Sequence, residues 1–195
     1  MRTSKINRKT KETDISISLE IDGNGKLAVQ TPIGMLTHIL ESFAKHGLFD
    51  LQIKVKGDLE VDQHHTIEDT GLVLGQAFKE ALGKKKGISR SGYFAFPMDE
   101  SLAIFAVDIG GRPYLQFNTK FRRRFCGELD TDLIEQFFSG FVNGLGCNIA
   151  INASGKDDHH KAEAIFKAFG KAMKAACSME KRGLNSVPST KGLIG

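Results

Sequence analysis

The chain has 195 residues, 41% hydrophobic and 26% charged, with a formal net charge of +4. That is the balance of a globular protein of one domain, or of two small halves sharing a core. No apolar run approaches the roughly 20 residues of a membrane span, and the basic stretch Met1–Lys11 is followed by no apolar region. A cytoplasmic protein without membrane or secretory segments is therefore expected.

Three cysteines, Cys126, Cys147 and Cys177, are an odd number and widely spaced, and they read as reduced thiols. With no Trp and only 2 Tyr, aromatic packing must come from the 14 Phe. The basic run Arg122–Arg124 has no aromatic or Gly-rich recognition motif around it. It reads as a solvated strand edge or turn, and no nucleic-acid partner is expected.

In chain order, Asp14 to Ile21 alternates as a strand and ends at Asp22-Gly23-Asn24-Gly25, a hairpin signal. Thr31 to Lys45 carries helical spacing through Met35, Ile39 and Phe43. Leu51–Val55 alternates as a strand, and a helix begins at His64 with Ile67, Leu74, Phe78, Ala81 and Leu82 on one face. Tyr93–Phe96 and Leu102–Asp108 read as strands joined by the Pro97–Glu100 turn, and Tyr114–Phe121 as another. Asp130–Leu145 is a predicted helix, Cys147–Ile151 a strand, and a last helix runs through Ala162, Phe166, Phe169 and Met173. The tail from residue 185 to 195 is expected to be irregular.

The order strand, Gly- and Asp-bearing turn, His pair, helix occurs twice. His64-His65-Thr66-Ile67-Glu68 and His159-His160-Lys161-Ala162-Glu163 lie 95 positions apart, close to half the chain. The expected architecture is α+β, an internal duplication of a strand-rich/helix unit, with helices packed on one face of the sheets. The first half-repeat would cover residues 1–90 and the second 91–195, together forming one compact domain.

At a helix start, residues i and i+4 share a face, so Glu68 can stand beside His64 or His65, and Glu163 beside His159 or His160. Adjacent histidines point about 100° apart, so each pair is better arranged to serve two ions than one. Imidazole with carboxylate and no thiolate suits Mn, Fe, Co or Zn. Duplicated surface caps would have little reason to repeat both the His pair and the Glu. His38 and His46 lie eight apart on a third helix and share roughly one face. Asp62, Asp69, Asp157 and Asp158 are candidates to orient imidazoles, with Asp158 alternatively a helix cap.

The strings HHTIEDTGLVLGQA, PMDESLA, IGGRPYL, DHHKAEAIFKAFGKA and PSTKG resemble imidazoleglycerol-phosphate dehydratase, the lyase of histidine biosynthesis, over nearly the whole chain. The resemblance implies a duplicated α+β fold of the ribosomal S5 domain 2-like class. It also implies assembly into a 24-mer, with a two-manganese site at subunit interfaces. The metal ligands it implies are His38, His64, His65, Glu68, His159, His160 and Glu163. For substrate and phosphate it implies Glu12, His46, Arg90, Arg112, Lys167, Ser189 and Lys191.

Three positions depart from the family pattern: Thr37 stands for a common Asp, Gln136 for a ligand His, and Ala150 for another His. Gln136 offers only a neutral carbonyl oxygen, a weaker ligand than imidazole.

The implied reaction removes a hydrogen from C2 and hydroxide from C3 of the glycerol chain. Metal ions flanking the imidazole ring would stabilise it as imidazolate, and Glu163 or Glu12 would carry protons. The product is the enol of imidazole-acetol phosphate. Two other readings use the same residues. One is a di-metal hydrolase that releases phosphate. The other is a binding homologue that has lost activity through Gln136 and Ala150.

Overall fold

The structure is a computed structural model that describes residues 1–182 and 186–194. The first half runs β1 (Thr3–Lys9), β2 (Thr13–Glu20), β3 (Leu27–Gln30), α1 (Gly34–Gly47), β4 (Asp50–Gly57) and α2 (His64–Leu82). The second runs β5 (Ser91–Met98), β6 (Ser101–Asp108), β7 (Tyr114–Thr119), a short hairpin of β8 (Phe125–Cys126) and β9 (Leu129–Asp130), α3 (Leu133–Leu145), β10 (Asn148–Ser154) and α4 (Asp158–Cys177).

The two large sheets repeat one topology. Their strand orders are β1-β2-β4-β3 and β5-β6-β10-β7, and in each the last strand joins parallel while the others pair antiparallel. Ile17 faces Ile53 in the first sheet where Phe105 faces Ile151 in the second. That register aligns His38 on α1 with Gln136 on α3. It also aligns the left-handed residues that end those helices, Leu48 (φ 58) and Gly146 (φ 74).

Strand periodicity decides which face each sheet buries. Ile15, Ile17 and Leu19 on β2, with Leu51, Ile53 and Val55 on β4, are buried, and the residues between them point outward. Helices α1 and α2 cover the first sheet and α3 and α4 the second, while α1 packs on α4 and α2 on α3. The helices are therefore the middle of the molecule. Their shared core is phenylalanine: Phe43 stacks on Phe169 with ring centroids 4.2 Å apart, and Phe78 meets Phe141 edge-on at 5.9 Å. Truncating one such side chain to Ala would cost about 3–5 kcal/mol.

Helices α2 and α3 touch backbone to backbone. A Cβ on Gly71 would lie 2.0 Å from the Phe137 carbonyl, and one on Gly144 would lie 2.2 Å from that of Leu72. Only glycine permits this approach. It places the start of α3 against the start of α2, where the first His pair stands.

Several expectations needed correction. The Asp22–Gly25 turn is not a hairpin: β3 pairs with β4 rather than β2, and the turn is held by Asp50, whose Oδ1 accepts the Asn24 and Lys26 N–H groups. The hairpin is β1–β2, and its first strand lies in the stretch read only as a basic terminus. Helix α1 starts at Gly34, not Thr31, because the Thr31 hydroxyl folds residues 31–33 into a turn by bonding the Ile33 carbonyl. Helix α3 starts at Leu133 because Leu129 and Asp130 are taken up in the β8–β9 ladder. All three cysteines are buried and unpaired; burial pushes the Cys177 thiol up to about 12. Of the tail expected to be irregular, residues 186–194 hold neither helix nor strand, and Asn185 and Gly195 lie outside the described residues. Among the described residues, no helix is long and apolar enough to cross a membrane.

Candidate metal centre

Carboxylates set the start of both His-bearing helices. Asp157 accepts the His159 N–H at 2.8 Å and the His160 N–H at 3.2 Å, and these bonds hold its carboxyl below the usual range. Asp62 accepts the His64 N–H at 2.7 Å. Each His pair thus lies in a first helical turn, with rings near perpendicular: 88° between His64 and His65, and 82° between His159 and His160.

The first His of the second motif joins a cluster. His159 Nε2 and His38 Nε2, from α4 and α1, each lie 3.5 Å from Glu163 Oε2. One donor atom from each of these three residues lies within 4.8 Å of the others. These separations are too long for good hydrogen bonds, and His38 Nε2 is buried without a hydrogen-bond partner. Burial alone would raise the Glu163 carboxyl; the hydrogen bond and charge of Lys167, with His38, outweigh it and hold it low. The Lys167 ammonium binds Glu163 Oε1 at 2.9 Å and lies over the Phe96 ring. His46 meets the same ring edge-on at 5.1 Å. Burial first, then Lys167 and Lys171, push its imidazole down.

The first motif is sparser. His64 Nε2 lies 3.4 Å from Glu68 Oε2, and both side chains are about 40% exposed (42% and 41%). Gln136 on α3 occupies the place that His38 has on α1.

The second His of each pair turns to a different partner. His65 Nδ1 is 3.0 Å from Asp58 Oδ2, and His160 Nδ1 is 3.1 Å from Glu100 Oε2; these contacts raise both imidazoles. In the absence of a proton on the other nitrogen, such a carboxylate fixes the tautomer that leaves Nε2 free as a ligand. Glu12 stands beyond His65, with Oε1 4.0 Å from its Nε2.

Sequence reasoning missed Asp58 and Glu100. Of the four aspartates it favoured, Asp62 and Asp157 cap helices, Asp69 bonds Arg8 and Thr13, and Asp158 pairs with Lys161. The available signal was position: Asp58 directly follows β4, and Glu100 ends the turn between β5 and β6.

Arg90, Arg112, Ser189 and Lys191 come together around one cavity of about 370 Å³, with Gly110 and Gly111 in its lining. Arg90 is held there by a fork to Asp108 at 2.6 and 2.8 Å and by donating to the Pro188 carbonyl. Ala150 lies on the outer face of β10, paired with Ala106 and Gln116.

Residues 31–173 match the family description "Imidazoleglycerol-phosphate dehydratase". The chain belongs to the imidazoleglycerol-phosphate dehydratase family. The dehydratase of Koribacter versatilis is 49% identical over the full length of both chains, and that of Lachnoclostridium phytofermentans is 51% identical over 99% of this chain and 98% of its own. Among solved structures, the dehydratase of Staphylococcus aureus superposes with a TM-score of 0.82 at 36% identity, covering 91% of this chain and 99% of its own. That of Pyrococcus furiosus gives 0.83 at 33% identity, covering 96% and 99%. The activity is dehydration of imidazoleglycerol phosphate in histidine biosynthesis, a hydro-lyase reaction. The dehydratase family depends on metal, and the donors on α1 and α4 fit a divalent cation: two imidazoles, one carboxylate, and a buried ring nitrogen without another partner.

Proposed function

We propose that this dehydratase holds two manganese ions between copies of the chain and works on the substrate's imidazole ring there. The observation that carries this reading is the convergence of His38, His159 and Glu163 on one point. Those three would hold one ion. His64 and Glu68, with the weaker oxygen of Gln136, would hold the other. His65 and His160 are each anchored through Nδ1 and turned from the neighbouring first His, which suits them to reach an ion held by another copy.

Association of copies has further support. The outer face of the second sheet exposes Tyr93, Leu102, Ile104 and Tyr114, at 78%, 41%, 45% and 64%. Tyr93, Leu102 and Ile104 lie together on β5 and β6 with Ala95 and Ala106 in register between them, while Tyr114 stands apart across Asn148, and an exposed apolar patch of this kind marks an interaction surface. The homo-oligomer we propose is the 24-mer that the sequence resemblance implies.

The ions, when bound, would supply Lewis-acid stabilisation of negative charge building on the imidazole ring. The cavity of Arg90, Arg112, Ser189 and Lys191 would hold the phosphate by charge-assisted hydrogen bonds, away from the reacting carbons. His46 and Lys167, beside Phe96, would contact the substrate. Glu163 has one oxygen on Lys167 and the other facing two imidazoles. Glu12, exposed next to His65, is the freer carboxylate to move the proton from C2 towards the departing hydroxyl.

Metal removal and add-back, followed by product analysis, tests this. Chelation should abolish formation of imidazole-acetol phosphate from imidazoleglycerol phosphate, and Mn²⁺ should restore it best. Release of inorganic phosphate instead would favour the hydrolase reading.

A further inference from the structure

Residues 31–33 join β3 to α1 in the first half, whereas residues 120–132 join β7 to α3 in the second. The longer segment lies across the starts of the helices that carry the proposed ligands. Its hairpin presents Glu128, whose Oε1 accepts the Met35 N–H at 3.1 Å; α1 has Ile33 at its cap position and no side-chain cap of its own. Gln63, at the cap position of α2, donates to the Glu128 carbonyl at 2.6 Å and accepts the Asp130 N–H at 3.1 Å.

At α4 the Asp158 carboxylate accepts the backbone N–H groups of Arg122 and Arg123 at 3.0 and 2.8 Å. Lys161 donates to both the Lys120 carbonyl and Asp158 at 2.8 Å. Asp158 and Lys161 are 5% and 2% exposed, so neither charge could be left without the other cheaply. Thr131 closes the segment on itself by donating to the Arg123 carbonyl, and α3 follows directly. The arginine run thus serves α4 through its backbone rather than its guanidinium groups.

Every helix begins with backbone N–H groups that need partners. A helix that caps itself fixes only its own end. The segment caps α1 through Glu128, while α2 and α4, capped by their own Asp62 and Asp157, are tied to the same segment through Gln63, Asp158 and Lys161, so the three helix starts are fixed relative to one another. We infer that residues 120–132 are a clasp that sets the spacing of the metal-binding helix starts, with Glu128 as a positioning residue for His38 and Gln63 for His64. The inference rests on the metal reading above for its purpose, though not for its geometry.

The assembled protein, titrated with Mn²⁺ and followed by the electron paramagnetic resonance of the free ion, reads the effect. E128A should bind about fivefold more weakly, the size of one lost helix cap. E128Q keeps a carbonyl oxygen towards Met35 and should restore most of the affinity. Unchanged affinity in E128A would overturn the positioning role. Amide hydrogen exchange gives a readout that needs no metal: residues 34–38 should exchange faster in E128A than in E128Q or the unaltered chain. Exchange there unaltered by E128A would overturn the clasp itself. Failure of the unaltered chain to bind Mn²⁺ would remove the metal reading alone, with the clasp then decided by exchange.

Discussion

Where β2 of the first half turns Asp14, Ser16, Ser18 and Glu20 outward, β6 of the second turns Leu102, Ile104, Ala106 and Asp108 outward at the matching positions. The inner faces of the same strands both remain apolar and buried, Ile15, Ile17 and Leu19 against Ala103, Phe105 and Val107. The helices differ in the same selective way: His38 against Gln136, and Leu48 against Gly146. Packing against a common helical core constrains what faces inward. Positions that face solvent, another copy or a ligand are free to diverge, so the differences between the halves point to where the halves do different work.

Four tests probe that division, in order of expected effect. Glu163→Ala removes the carboxylate on which His38 and His159 converge. Steady-state turnover should fall at least about a thousandfold, roughly 4 kcal/mol of barrier; near-normal turnover would refute the ligand assignment. Ile104→Lys places a charge on the apolar outer face, and light scattering should report a smaller particle, whereas Ser16→Lys at the matching polar position should leave assembly intact. Equal behaviour of the two would erase the distinction between the outer faces.

Gln136→His would make the two half-sites alike. Calorimetric titration with Mn²⁺ should show the weaker class of sites tightening about tenfold, or roughly 1.4 kcal/mol. Two classes of unequal affinity persisting in that variant would locate the asymmetry elsewhere. Leu48→Gly is the mildest: Leu48 is 41% exposed and held at φ 58. Relief of the left-handed strain should raise stability by about 0.5–1 kcal/mol, seen as a higher unfolding midpoint. Gly146→Leu should lower it.

Much of this was legible from the chain itself. The doubled His-His-x-x-Glu motif with its strand and helix flanks announced the duplication, and the divergence of adjacent histidines by about 100° around the axis follows from helix geometry. The family strings extended that to Arg90, Arg112, Ser189 and Lys191, which no periodicity brings together but which share one cavity. What escaped was short, or bore no periodic signal of its own. Asp58 and Glu100 reach His65 and His160 from a loop and a turn. Strand β3 has only four residues and little apolar alternation. The β8–β9 hairpin is two residues a side and reads as the lead-in to a helix. Strand β1 alternates but was masked by its basic residues: Lys5 and Lys9 lie on its exposed side, while Arg8, on the inner side with Ser4 and Ile6, bonds Asp69.

The account turns on the duplicated helix starts holding their ions together. Crystals grown with Mn²⁺, with anomalous diffraction recorded at the manganese edge, test this most directly. The account predicts one peak bounded by His38 Nε2, His159 Nε2 and Glu163 oxygen, completed by an imidazole from a neighbouring copy, and a second, less occupied peak beside His64 and Glu68. Crystals of active protein with no anomalous peak at either place, and those side chains turned to solvent, would contradict it.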